Sequence, residues 1–475
     1  MSTLVKVNPF FSKNTLLYSI ILAEGYVVLS TELLAIRLLM PFVGNGTETL
    51  SIIIAAVLMP LAIGYYKGGQ VLARSSNAST FRNTLVRNMM YAASILVLGL
   101  SYLFLEYFFS ILEHLGVQDR LIQTALYCSL FLVYPIFLLG QTVPLVSHFF
   151  RGQSLSKMTG YMLFCSTLGS FLGAMLSTLV LMSLLGVHDT ALITVLILVV
   201  LCMALHRRWR KRQYIWLITV PCLMYAFNHP ALFKSLGIVQ NNAYSLVRVI
   251  DVPTEQDARI LSVNRSASSK YSPQLSSRFD YIQYIERQYI QTLPPKASVL
   301  VVGAGGFTLG LDDAVHQYTF VDVDPALKPT VERYFLKQPL ASNKHFRAVP
   351  ARAFFRNLSA SYDLIILDAY NNHLTIPTQL ITQEFFKSVK AALRPGGVMV
   401  FNAIASPDFK DRYSIKLDNT LHSVFPHLNR QVIMHQLKPY ENRAHNIMYS
   451  YLHQKSTDEI YTDQRNTYFL DRHTK

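Results

Sequence analysis

The sequence predicts an α-helical transmembrane bundle followed by a soluble α/β domain of the Rossmann-like type, entered through a small β-hairpin region. Three observations predict it. Long apolar runs fill the first half, charge is concentrated in the second, and after residue 298 short apolar runs alternate with helical stretches. Only 15% of the 475 residues are charged, and the mean hydropathy is +0.27. A soluble protein of this size needs more charge on its surface. Before residue 230 there are 15 Lys/Arg and 7 Asp/Glu, and after it 28 and 21, so the deficit lies in the first half. The expected organisation is a transmembrane domain over 1–229 with six or seven helices, a small β and linker region over 230–295, and a nucleoside-cofactor-binding α/β domain over 296–475.

Apolar runs near 16–38, 50–66, 90–112, 121–148, 159–185 and 189–205 are mostly long enough for the ~20-residue helix that a ~30 Å hydrocarbon core requires. A seventh run, Tyr214 to Phe227, is shorter and contains Pro221, which places it with interfacial or re-entrant segments. The first run carries Glu24 and Glu32 and has no small-residue cleavage site, so it is expected to remain as a helix. Basic residues gather in alternate connections: Lys6/Lys13, Lys67 to Arg87, Arg151/Lys157 and Arg207 to Arg212. Those segments belong in the cytoplasm. The expected location is therefore a multi-pass cell membrane protein. Its soluble domain is expected in the cytoplasm, where a nucleoside cofactor is found, with Tyr214–Phe227 not crossing.

The net charge of +15 does not imply nucleic acid. The densest basic run, His206 to Arg212, lies between two apolar segments, where it suits orientation and anionic headgroups, so the lipid bilayer is the expected partner. All four cysteines (Cys128, Cys165, Cys202, Cys222) fall in apolar runs, which leaves the soluble half without a thiol for catalysis or metal ligation; no metal is expected. Glu24 and Glu32 lie about 80° apart around a helix, so one broad face can carry both inward. Small residues in Ser166-Thr-Leu-Gly169-Ser170-Phe-Leu-Gly173-Ala174 are spaced for close helix packing.

In the second half, strands are expected near 298–302, 318–323, 346–349, 363–368, 397–402, 430–434 and 445–451, the last antiparallel. A hairpin over 244–252 and 258–263 and a helix over 279–292 precede them. Strand Ser298–Val302 runs into Gly303-Ala-Gly305-Gly306, a turn whose missing side chains let backbone amides approach a ligand. The next strand ends Phe320-Val-Asp322-Val-Asp324-Pro325, putting Asp322 at the offset from Gly303 where a carboxylate accepts from both ribose hydroxyls. The fourth strand, Tyr362-Asp-Leu-Ile-Ile-Leu-Asp368, delivers a carboxylate to the edge where open α/β sheets bind ligands. An acid ending an apolar strand carries a desolvation cost that favours a catalytic or substrate-binding role.

These residues carry a resemblance. Thr31 to Gly44, Gly64-Tyr-Tyr-Lys-Gly68-Gly69 and Ser166-Thr-Leu-Gly169 resemble membrane segments fused to spermidine synthase-like domains in bacteria. Residues 240–450 resemble the spermidine synthase (polyamine aminopropyltransferase) family, within a class I methyltransferase-like fold. The resemblance implies transfer of an aminopropyl group from decarboxylated S-adenosylmethionine to an amine such as putrescine. It implies Asp368 as the base that holds and deprotonates the attacking amine, and Asp322 as the ribose acid. Gly303, Gly305, Gly306 and Ala351 join it as cofactor-binding residues, and Tyr281, Tyr370 and Asn371 as substrate-binding ones. It also leaves room for a homodimer. This chain departs from the family's pattern three times. Gly306, Pro350 and Asn371 stand where the family has acids, and cationic substrates need carboxylates. Two other functions stay open: methyl transfer from S-adenosylmethionine itself, and a transporter or sensor whose soluble domain only binds a nucleoside.

Overall fold

The computed structural model describes residues 13–44, 46–74, 78–117, 119–150, 155–205, 211–255, 257–272, 278–356, 358–370, 375–433, 445–451, 461 and 463. The chain divides into two compact units. The first comprises Met1–Val43, Thr47–Phe233 and Asn241–Ala243, and the second Gly44–Gly46, Lys234–Gln240 and Tyr244–Lys475.

The first unit is helical. Among the described residues six helices are long and apolar enough to cross a membrane, or up to seven if one bent pair counts as a span. They are α1 (Lys13–Val43), α2 (Thr47–Arg74), the pair α3 (Ala78–Gly99) and α4 (Tyr102–His114), α5 (Arg120–Ser147), α6 (Ser156–Leu184), α7 (Val187–Leu205) and α8 (Lys211–Phe227). Two sequence expectations change here. The run 90–112 is not one straight helix: it bends by 67° between α3 and α4. Gly99 ends the first helix, and the Ser101 hydroxyl caps the second by accepting from Phe104 N at 3.4 Å. The seventh run is also longer than its apolar stretch. With the short helix that follows α8 it extends over Lys211–Ser235, 25 residues. Flanking polar residues continue the helix past the point where hydropathy stops.

The centre of this unit is α1, apolar for most of its circumference and buried on most sides, as a helix without a polar face must be. Its closest partner is α6. A Cβ at Gly169 would lie 2.0 Å from the Leu22 carbonyl, one at Gly173 2.5 Å from that of Tyr26, and one at Gly25 2.3 Å from that of Ser166. The small residues noted in the sequence thus set the backbone-to-backbone approach.

The second unit holds two sheets. The smaller runs β1 (Ile238–Asn241), β2 (Leu246–Asp251), β3 (Arg259–Val263) and β4 (Ser266–Tyr271) in that order. The expected hairpin is its middle, with β2, β3 and β4 antiparallel. The larger contains β5 (Ser298–Val302), β6 (Gln317–Asp322), β7 (Lys344–Ala348), β8 (Tyr362–Leu367), β9 (Leu393–Ala405), β10 (Leu428–Ile433) and β11 (His445–Tyr451). Their order is β10-β11-β9-β8-β5-β6-β7. Strands β5 to β9 are parallel, and β11 is antiparallel to both neighbours.

Strand β5 reads as a continuous apolar run because both faces of the sheet are covered. Leu300 and Val302 pack with Ile365, Phe385 and Phe386 on one side. Val299 and Val301 pack with Leu364, Tyr281 and Phe335 on the other. Gly303, Asp322 and Asp368 consequently emerge together at the carboxyl edge of β5, β6 and β8, where the strand order reverses.

Candidate functional site

The glycine turn and the acid after β8 lock against each other. Asp368 N donates to the Val302 carbonyl at 2.8 Å, and a Cβ at Gly303 would lie 2.3 Å from the Asp368 carbonyl. Gly303 also holds φ +91, a region L side chains rarely adopt, so glycine is demanded twice over.

The Asp368 carboxylate is half-buried and hydrogen-bonded, with no ion pair among the described residues. Its Oδ1 accepts from Asn402 Nδ2 at 2.8 Å, and its Oδ2 lies 3.1 Å from the Tyr281 hydroxyl. Burial pushes its pKa up to about 7, and the hydrogen bonds from Asn402 and Tyr281 pull in the opposite direction. Tyr281, on the helix beginning at Asp280, shares its hydroxyl proton with the Ser268 carbonyl, also at 3.1 Å. Burial, and next the Asp368 charge, hold that phenol well above its ordinary range. The structure thus brings Tyr281, singled out in the sequence, to Asp368.

The sequence reading missed Asn402. It interrupts the apolar segment Val398-Met-Val-Phe-Asn402 of β9, and that lone amide was the available signal. Its Oδ1 is buried and has no partner among the described residues. An unpartnered acceptor beside a carboxylate is an arrangement suited to a ligand with N–H groups.

Asp322 lies at the adjacent edge. Its Oδ2 accepts from Ala304 N at 3.1 Å and its Oδ1 from Asp324 N at 3.2 Å, and burial raises its pKa. The carboxylate therefore holds the glycine turn in place while keeping lone pairs free, since each oxygen accepts more than once. Asp324, fully buried, accepts from Gln240 Nε2 at 2.7 Å and from Ala326 N at 3.0 Å, which fixes the loop on which Asp322 stands.

Other predicted residues stand differently. Gly305, at φ +48, has only ordinary or slightly tight contacts with Ser268 and Ser269. The Gly306 amide is already taken by Ser269 Oγ at 2.9 Å. A Cβ there would lie 2.5 Å from Phe335 Cε1 and 2.7 Å from Ser269 Cβ. The space beyond Gly306 is thus occupied by a ring and a serine. Phe307 follows at φ +56, its buried ring against Phe320 and Phe346. The Tyr370 hydroxyl bonds the backbone of β9, Asn402 O at 2.9 Å and Ile404 N at 2.8 Å, so it braces the strand carrying Asn402. Ala351 opens a short helix behind Pro350, and Arg352 beside it turns to Asp463 at 2.5 Å. Asn371 lies outside the described residues. Among the described residues no group of three or more His, Cys, Asp or Glu side chains is placed to hold a metal.

Residues 288–458 match the family model described as the spermine/spermidine synthase domain. The chain is 30% identical over 196 residues to a polyamine aminopropyltransferase of Vibrio vulnificus, covering 38% of this chain and 63% of that protein. It is 34% identical over 136 residues to polyamine aminopropyltransferase 2 of Hyperthermus butylicus, covering 27% of this chain and 44% of that one. Each match spans less than two thirds of the relative's length. A solved structure of a probable spermidine synthase from Corynebacterium glutamicum aligns over 47% of this chain and 81% of its own, at 23% identity and a TM-score of 0.37. Tyr281 lies ahead of the segment that the family model matches.

The geometry at Asp322 makes a specific expectation. Asp322→Ala removes the brace on the turn and, on the expectation that Asp322 is the ribose acid, its acceptor, so methylthioadenosine affinity of the full-length protein should fall tenfold or more, at about 1.5–3 kcal/mol per charge-assisted bond. Calorimetric titration measures it, and unchanged affinity removes Asp322 from the site.

Proposed function

We propose, on the premise that residues 288–458 carry a spermine/spermidine synthase-like domain fused to membrane-spanning helices, that the chain is a membrane-anchored transferase moving an aminopropyl group from decarboxylated S-adenosylmethionine to an amine such as putrescine. The observation that carries the reading is the Asp368 site: a half-buried carboxylate with a pKa of about 7, against the glycine turn, with the orphan acceptor Asn402 Oδ1 beside it.

An ammonium has no lone pair and cannot attack. A carboxylate that titrates near neutrality can hold the ammonium and take its proton. The nitrogen lone pair then forms the new C–N bond as the carbon–sulfonium bond breaks toward sulfur. Asn402 and Tyr281 keep Asp368 oriented, and Asn402 Oδ1 is available to a further N–H of the amine. The glycine turn and Asp322 fit the nucleoside. Gly306 favours a second reading: its space is filled, so no carboxylate there meets an aminopropyl ammonium, which suits methyl transfer from S-adenosylmethionine. Titration of the full-length protein with both sulfonium compounds separates the two.

The soluble unit belongs in the cytoplasm under this proposal, where the sulfonium co-substrate is found. Helix α8, in the least apolar of the six single candidate spans and interrupted by Pro221, then lies along the interface. A C-terminal alkaline phosphatase fusion should be inactive; an active one places the unit on the far side.

Asp368→Asn keeps the shape and removes the base, so turnover should fall by ~10²–10⁴ while nucleoside affinity holds. The wild-type rate should fall about tenfold per pH unit below about 7, because the protonated carboxyl cannot accept the amine's proton. Tyr281→Phe deletes a hydrogen bond that favours the charged form, so the limb should move to higher pH. A limb unmoved by Tyr281→Phe, or surviving in Asp368→Asn, assigns the base elsewhere.

A further inference from the structure

Tyr461 and Asp463, beyond the last strand, are built into the soluble unit. Tyr461 is fully buried, in the core that also holds Ile376, Leu380 and Phe385. Its carbonyl accepts from Gln383 N at 3.0 Å, and its amide donates to Thr420 Oγ1 at 2.8 Å. The first of these bonds satisfies an amide that the helix Gln383–Ala392 leaves without an intrahelical partner. The Asp463 amide donates to Glu384 Oε2 at 3.1 Å, on the first turn of the same helix. Backbone bonds and a buried ring therefore fix both residues.

Asp463 in turn holds Arg352. Nη1 donates to Oδ2 at 2.6 Å and Nη2 to Oδ1 at 2.5 Å, a two-pronged pair that matches the planar fork of a guanidinium. That hydrogen bonding draws the Asp463 carboxyl below its ordinary range. The same guanidinium donates from Nε to the Gln379 carbonyl at 2.7 Å and from Nη2 to Thr382 Oγ1 at 2.5 Å. All three nitrogens are used, and they tie the short helix Ala351–Phe355 both to residues 379–382 and to Asp463.

Both of the tied segments border the candidate site. Strand β7 lies beside β6 with Ala348 opposite Asp322. Val349, Pro350 and Ala351 therefore continue the chain just past the edge where Asp322 stands. The other segment belongs to the connection that leads from Asp368, at the end of β8, to the helix Gln383–Ala392. A ligand at the carboxyl edge of such a sheet lies among the connections that leave it, and here one guanidinium sets the spacing of two of them. The Arg352 and Asp463 side chains are 34% and 41% exposed. An isolated pair so open to water adds little stability, which leaves geometry as its contribution.

Resting on the reading of a nucleoside site at Asp322, we propose that Arg352 is a positioning residue for the nucleoside, holding the connections after β7 and β8 at their spacing, and that Asp463 orients Arg352.

The test is calorimetric titration of the full-length chain, in phosphatidylcholine nanodiscs, with methylthioadenosine. Arg352→Lys keeps the charge but cannot make four bonds in three directions, and it should weaken binding at least about fivefold. Asp463→Asn should weaken it about threefold, and Asp463→Glu should restore most of that loss. The double variant Arg352→Lys/Asp463→Asn should be no weaker than Arg352→Lys, because Asp463 acts through Arg352. Arg394→Lys is the control: it loosens a comparable pair, Arg394 with Asp363 at 2.7 Å, at the opposite edge of the sheet, and should leave affinity unchanged. Monodispersity of the particles controls for folding. Wild-type affinity in both Arg352→Lys and Asp463→Asn, additive losses in the double variant, or an equal loss in Arg394→Lys overturns the proposal. Wild type that binds no methylthioadenosine removes the nucleoside site and this proposal with it; wild type that binds, with Arg352 and Asp463 variants that bind equally well, removes this proposal alone.

Discussion

A carboxylate without a cation organises the soluble unit. Asp368 sits at the carboxyl end of β8, half-buried, and among the described residues is answered only by an amide and a phenol. Neutral donors orient a carboxylate but do not neutralise it, so desolvation dominates and the group titrates near 7. Each neighbour follows from that arrangement. Gly303 must be glycine because the chain beside Asp368 comes within 2.3 Å of any Cβ there. Tyr281 must lie on a helix packed over the sheet to reach the acid from one side. Asn402 must interrupt β9 to reach it from the other, and Tyr370 braces the backbone of that interruption.

The turn after β5 is held firmly at its start and packed shut two residues later. Asp322 ties the Ala304 amide, which fixes the start of the turn at Gly303. Two residues later the chain diverges. Ser269 and Phe335 fill the space over Gly306, and Phe307 takes a left-handed backbone conformation, a cost an aromatic residue bears only when its packing compensates. An acid cannot be restored at 306 by substitution alone, because the ring and the serine would have to move first. The departure seen in the sequence is therefore built into the surrounding packing.

Much of this was legible in the sequence. The large sheet has strand-length apolar runs separated by glycine turns and helical stretches, and acids ending two strands mark its functional edge. The rest was hidden for physical reasons. Strand β4, Ser266–Tyr271, is too polar to show alternation, so Ser268 and Ser269 had no visible place near Tyr281 and Gly306. Asn402 looks like a blemish in a strand until Asp368 is placed beside it. Hydropathy averages over a window, so it ran through the bend at Ser101, where one capping hydroxyl redirects the chain. It also stopped at Phe227, although the helical segment extends to Ser235.

The two units share one electrostatic feature. In each, an acid at least half-buried stands among neutral hydrogen-bonding groups, without a paired Lys or Arg among the described residues: Asp368 with Asn402 and Tyr281, Glu24 with Tyr65 nearby. The chain has no shortage of cations, since Lys and Arg exceed Asp and Glu by 15. A resident partner would have made either acid an ordinary buried ion pair, and breaking such a pair to admit a cationic ligand costs several kcal/mol. Leaving the acid unpaired places that cost in the empty protein, where a bound cation recovers it. Selectivity follows from the same choice. The Asp368 site offers an anion no counter-charge, and a neutral ligand of the same shape leaves the carboxylate's desolvation unrelieved. Sites of this kind discriminate by charge before shape.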